Sequence, residues 1–374
     1  MQQNLIFDNS KIYMLIYFVT FFFISILAFV AQARRPMADN SSHSLAWNPL
    51  WLIFLFFFTI FIGLRFEVGG DWGSYLRYYN DFYNTELFEE FDTSSDVGYH
   101  LLNWVASYAG LGISGVNFFC GFIFSIGLIS LCRSLPRPLL ALVAAFPYMI
   151  VVVAMGYSRQ GIALGLAMLA LVYLGREKKI WFVIFIIAAT SFHKTALVLL
   201  PVAGLAATKD RFWILVWLSL LGLVAYFSLL ASSFERLYLY YVEQSYVSEG
   251  ALIRLIMIFI PSLIILIWPH RLNISKLQLE MWKVYAYISV GLLFLYFFKS
   301  DASTAVDRIA LYMLPIQMVV FSYLPEFFGG KGETPQLIVL GVILYFFAVL
   351  TVWSFYSPYA VYWFPYKNFL LEAL

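Results

Sequence analysis

Charged side chains are scarce in this chain, and those that are present gather at a few points where they would do chemistry. The longest polar interruption is Arg65 to Tyr99, RFEVGGDWGSYLRYYNDFYNTELFEEFDTSSDVGY, which holds arginines, many carboxylates, clustered glycines and a run of tyrosines. Further along stand Ser158-Arg159-Gln160-Gly161, Ser191-Phe192-His193-Lys194 and Asp307-Arg308, each set against long apolar stretches. A guanidinium stays charged at any relevant pH and grips phosphate oxygens in pairs, so Arg65, Arg159 and Arg308, with Lys194, are candidates for holding a phosphorylated ligand. His193 and Asp71 are the groups placed to accept a proton beside such a ligand, and the choice between them is open. Tyr75, Tyr78 and Phe82 recur at helical spacing. Such a stripe suits an interfacial belt, and aromatic faces, Tyr99 included, also suit sugar rings. Each cation taken alone is also what an interfacial anchor looks like, with its stem in lipid and its head at the headgroups.

Composition fixes what must position these residues. With 63% hydrophobic and 12% charged residues and a mean hydropathy of +0.84, the chain lies far from soluble proteins, where about a quarter of residues are charged. It reads as an all-α, polytopic integral membrane helical bundle forming one transmembrane domain over residues 1–374. A net charge of +2 without charge runs excludes nucleic acid as a partner. Cys120 and Cys132 form neither a CxxC nor a Cys/His cluster, and no DxD-type carboxylates cluster in the loops, so no metal and no cofactor is expected.

Segments long enough to cross about 30 Å of hydrocarbon fall near 12–31, 50–64, 113–132, 138–154, 159–175, 211–232, 251–269, 280–298, 308–328 and 336–356. The stretch 180–207 breaks at Ser191 to Lys194 into two short helices, which brings the expectation to about twelve spans. Residues 65–112 form an external loop and, over 99–111, a helix lying in the outer interface, because His100, Asn103 and Ser107 recur at helical spacing. Arg34/Arg35, Arg133/Arg137, Arg176/Lys178/Lys179, Lys209/Arg211 and Arg271/Lys276/Lys283 occupy alternate loops and mark the cytoplasmic side. The loops at 65–99, 155–158, 192–194, 233–250 and 299–307 are then external. Arg159 and Arg308 are each expected at a helix N-terminus, where dipole, backbone N–H groups and guanidinium would all address an anion. Asp71 is expected to cap a helix starting at Trp72. Asp307 is expected to cap its helix or pair with Arg308, and Gly161 and Gly165 to serve close helix packing.

Five short motifs in this order, Arg65-Phe-Glu-Val-Gly-Gly-Asp71-Trp-Gly-Ser-Tyr75, Asp96-Val-Gly-Tyr99, Ser158-Arg159-Gln-Gly-Ile-Ala163, Ser191-Phe-His-Lys-Thr-Ala-Leu197 and Asp307-Arg-Ile-Ala310, with the closing Pro365-Tyr-Lys-Asn368, resemble the EpsG family of Wzy-like polysaccharide polymerases. This chain has Asp96 where the family more often has Glu. The resemblance implies a GT-C-like glycosyltransferase of the bacterial plasma (inner) membrane, with an active site facing the periplasm or cell exterior. Its partners would be polyprenyl-pyrophosphate-linked oligosaccharides and the lipid bilayer, with a chain-length regulator protein as a candidate. It would join repeat units into an O-antigen, capsule or exopolysaccharide. The alternatives are an O-antigen ligase-like transferase, expected to carry its large external loop late in the chain, and a lipid-linked sugar flippase, expected to spread charges through the midmembrane.

Overall fold

In the computed structural model the chain is described over residues 2–33, 48–81, 96–207, 250–298, 303–328 and 336–372, with isolated positions between 210 and 223. The described residues are helical, and the only strand-like pairing among them is one antiparallel bridge between Arg65 and Asn368. In order, the helices are α1 (Gln2–Ala33), α2 (Pro49–Gly63), α3 (Trp72–Asp81), α4 (Val97–Tyr108), α5 (Gly112–Arg133), α6 (Pro138–Ala145), α7 (Ser158–Leu174), α8 (Lys179–Phe192) and α9 (Leu200–Ala207). After the break come α10 (Ala251–Ile267), α11 (Lys276–Phe298), α12 (Ser303–Met313), α13 (Pro315–Phe328) and α14 (Gln336–Tyr356).

Local chemistry sets several of these boundaries. Asn48 caps α2 by accepting from the Trp51 amide at 3.1 Å, with Pro49 in the first turn. Pro138 opens α6, which runs on as π-helix over Phe146–Ala154. As expected, the polar break divides 180–207: α8 ends at Phe192, His193 is extended (φ −157°, ψ 111°), and a 3₁₀ turn, Lys194–Leu199, leads into α9.

Among the described residues four helices are long and apolar enough to cross a membrane, over Met14–Ala31, Gly112–Arg133, Lys276–Phe298 and Gln336–Tyr356, and the α12–α13 pair, bent by 43°, makes a fifth if taken as one span. The chain is therefore a helical membrane protein. The expected twelve crossings are not matched by full-length helices: α2, α6 with its π extension, α7, α8 and α10 are apolar but have 17 or fewer residues each. Most of the expected span 211–232, most of the loop 233–250, and Phe82 lie outside the described residues.

Helix α7 is central, packed between α5 and α8, and α2 packs on the other side of α5. Gly165 lets α7 approach closely, since a Cβ there would lie 2.5 Å from the Phe124 Cα, and a Cβ on Gly127 would lie 2.0 Å from the Gly165 carbonyl oxygen. The GxxxG expectation is thus met at Gly165, while Gly161 faces Ala154 of its own chain segment instead. At 1.5 Å per residue, α7 carries the chain roughly 25 Å from Ser158 towards Arg176.

Helix α4 forms where the short helix over 99–111 is expected, with its polar side chains facing the protein. His100 and Asn103 are buried, whereas Leu101 and Val105 face outward. The buried Asn103 amide donates to the Tyr99 carbonyl at 2.7 Å, which gives one of its donors a partner away from solvent.

Candidate functional site

Arg159 is the second residue of α7, as the sequence indicates, with its side chain 43% exposed. One guanidinium nitrogen donates to Asp96 Oδ2 at 3.1 Å, and the group lies over the rings of Tyr75 (5.8 Å) and Tyr99 (5.9 Å). Asp96 occupies the N-cap position of α4 without capping it. Its carboxylate is turned to the site, where Oδ1 accepts from the Lys194 amide at 3.3 Å. Asp96 therefore ties the start of α4 to α7 and to the break after α8, and Gly98 makes this possible, since a Cβ there would meet Ser191 at 2.5 Å. Burial pushes the Asp96 carboxyl above the usual carboxylate range, with Arg159 and Lys194 pulling it back.

Arg308 lies in the second turn of α12, because the helix begins at Ser303 and not at Asp307 as expected. Its backbone carbonyl accepts from Gln160 Nε2 at 2.7 Å, so the residue beside Arg159 sets the height of Arg308 against α7. The Arg308 side chain is exposed and forms no ion pair among the described residues. Asp307 does not pair with it. The carboxylate is held by both sides of the Arg254 guanidinium, from α10, and Arg254 also donates to the Tyr148 hydroxyl at 2.7 Å.

Asp71 stands at the head of α3, its carbonyl accepting from the Tyr75 amide at 3.0 Å as expected of an N-cap position. Burial raises its carboxyl pKa, and the fields of Arg159 and Arg308 oppose the rise. One carboxylate thus senses both arginines. His193 senses both as well: burial first, then Arg308 and Arg159, push its imidazole down to about 3, so that it is neutral at physiological pH. Thr195 Oγ1 lies 3.4 Å from its Nδ1, and the ring meets Tyr312 edge-on at 6.3 Å.

Arg159, Arg308, Asp71, His193 and Lys194 are therefore brought into one neighbourhood. Arg65 is not part of its open side. It is 1% exposed, and its donors go to the carbonyls of Val68 (3.2 Å) and Ile62 (2.7 Å), to Asn117 Oδ1 (3.3 Å) and to Ser158 Oγ (2.7 Å). Arg65 braces the start of α7 from behind. The tyrosines likewise turn inward: Tyr75 and Tyr99 are buried and Tyr78 half-buried, packed ring against ring with centroids 5.7 and 5.6 Å apart. They back Arg159, where the sequence suggested a surface for lipid or sugar. Three contributors were missed. Gln160 and Asp96 stand inside motifs already singled out, and Arg254 carries the plainest signal, an arginine in the first turn of an otherwise apolar helix, which demands a partner.

The arrangement presents two guanidiniums with donors to spare, a carboxylate and a neutral imidazole. That set can grip a phosphorylated group and accept a proton beside it. No group of three or more metal-ligating side chains occurs among the described residues. A family model described as the EpsG family matches residues 48–368. No curated protein and no solved structure matches the chain.

Proposed function

The chain belongs to the EpsG family of Wzy-like polysaccharide polymerases, and from that premise we propose that it transfers a growing glycan from a polyprenyl pyrophosphate to the next lipid-linked repeat unit on the outer face of the plasma membrane. The observation that carries this reading is the meeting of Arg159 and Arg308, from distant parts of the chain, around Asp71. A leaving diphosphate anchored in the bilayer needs cations waiting at the interface, and these two guanidiniums are disposed for it. Arg133 ends α5, Arg137 precedes α6, and Arg176 and Arg271 follow α7 and α10, at the helix ends away from Arg159 and Arg308, which supports a non-cytoplasmic site. The shorter apolar helices complete the proposed bundle of about twelve crossings, in a GT-C-like arrangement.

In the proposed reaction the acceptor sugar hydroxyl attacks the anomeric carbon of the donor glycan. The bond from that carbon to the diphosphate oxygen breaks, its electron pair leaves with the lipid diphosphate, and Arg159 and Arg308 hold the developing charge. The hydroxyl proton passes to a base. Asp71 now takes precedence over His193 in that role, because burial lowers the imidazole's proton affinity and raises the carboxylate's, while the two arginines lower both. The Lys194 amide bonds Asp96 beside Arg159, and its ammonium is a proposed further contact to the same anion.

The test is the surface glycan of a strain carrying only the variant protein. With Arg159→Ala or Arg308→Ala, membrane insertion is retained and the glycan stops at a single repeat unit. Normal chain lengths in both variants contradict the proposal. Loss of all attached glycan indicates a ligase, and lipid-linked units trapped facing the cytoplasm indicate a flippase.

A further inference from the structure

Arg254 and Asp307 lie beside the arginine pair but outside its open side. The two side chains are 11% and 13% exposed, and the Arg254 guanidinium spans both carboxylate oxygens, with its second terminal nitrogen 2.6 Å from Oδ2. The remaining terminal nitrogen is fixed by the Tyr148 hydroxyl at 2.7 Å, on the π-helical stretch that leads into the turn before Arg159. A bidentate fork of this kind takes up the acceptor capacity that faces it and fixes the plane of the carboxylate.

Asp307 immediately precedes Arg308. A carboxylate there that lacked its counter-ion would attract the neighbouring guanidinium and repel an arriving anion. The exposed Arg308 has no ion-pair partner among the described residues, although it has an acid next to it in sequence. We propose that Arg254 is a positioning residue for the diphosphate site: by neutralising Asp307 and holding it to α10, it leaves Arg308 available to the substrate. This rests on the diphosphate reading given above. Arg254 touches neither the substrate nor the reacting atoms in this role.

The experiment uses the purified full-length protein in lipid nanodiscs, polymerising lipid-linked repeat units, with inorganic pyrophosphate as competitive inhibitor. The inhibition constant does not depend on the fraction of folded enzyme, so it separates charge from stability. Arg254→Ala, which uncovers Asp307, is expected to weaken inhibition about tenfold or more, the scale of one uncompensated charge near a surface site. Arg254→Ala with Asp307→Asn is expected to restore it to within about threefold of the wild type, and Asp307→Asn alone to leave it unchanged or tighter. An unaltered inhibition constant in Arg254→Ala, with only total activity reduced, overturns the inference alone. Weaker inhibition in Asp307→Asn also overturns it, because the acid would then serve the ligand directly. A wild-type enzyme that pyrophosphate does not inhibit overturns the diphosphate reading and this inference with it.

Discussion

A guanidinium in an apolar bundle has five donors to satisfy, and three arginines of this chain do so in different ways. Arg65 gives its donors to backbone and side-chain oxygens of the protein, and Arg254 gives its own to one carboxylate and one phenol. Arg159 bonds Asp96 and rests on two rings, yet its side chain stays 43% exposed, so part of its guanidinium faces the open side. That difference separates framework from site, and sequence alone does not carry it, because all three read as arginines beside apolar segments. The acid–base assignment is decided at the same scale. If Asp71 is the base it must be ionised to work, and burial raises its pKa. The rate should therefore fall on acidification through a midpoint above the ordinary carboxylate range of about 4. In Asp71→Asn that acid limb should vanish together with a loss of about 10²-fold or more in rate, while His193→Gln keeps the limb. Stopped-assay pH profiles of the three proteins check this, and an acid limb that survives in Asp71→Asn but is lost in His193→Gln reverses the assignment.

Helices bring the site together through two devices. One is the extended residue His193, which stops α8 so that the Lys194 amide reaches Asp96. The other is the glycine crossing of α5 and α7, which sets the axis on which Arg159 rides. Replacing Gly127 by Ala should force the helices apart, costing about 1–3 kcal/mol as overpacking does and lowering the thermal midpoint of the detergent-solubilised protein. Gly291→Ala and Gly341→Ala, where an added Cβ meets nothing within 4 Å, should not. Equal midpoints in all three variants would remove the crossing from the account. The break at 191–194 was legible because a polar Ser-Phe-His-Lys run cannot continue a buried apolar helix cheaply. The start of α12 was not, since Ser303 to Val306 give a weaker signal than the charged pair after them. Helical spacing identified the Tyr75 and Tyr78 face without saying which way it points. Packing of α3 on α4 and α5 turned it inward.

Across the whole molecule, the last segment of the chain holds the first polar loop. Tyr366 donates to the Phe61 carbonyl at 3.0 Å, the amides of Phe66 and Phe369 reach across to the carbonyls of Lys367 and Leu64, and Lys367 pairs with Glu67 at 2.6 Å. The Trp363 indole closes the same seam on the Val151 carbonyl at 2.7 Å. The loop that carries Asp71 is thus fixed by residues some three hundred positions away. The closing Pro-Tyr-Lys-Asn was recognisable as a motif, but this long-range pairing was not legible, because neither periodicity nor composition encodes which distant segment a backbone carbonyl will meet. The helical membrane class was legible from hydropathy alone. Whether Arg159 and Arg308 share one outward-facing site is tested by single cysteines at these positions, since the native Cys120 and Cys132 are buried and give little background. In intact spheroplasts a membrane-impermeant maleimide should label Arg159→Cys and Arg308→Cys alike, and added lipid-linked repeat unit should slow both reactions. Labelling of the two positions from opposite sides of the membrane would contradict the account.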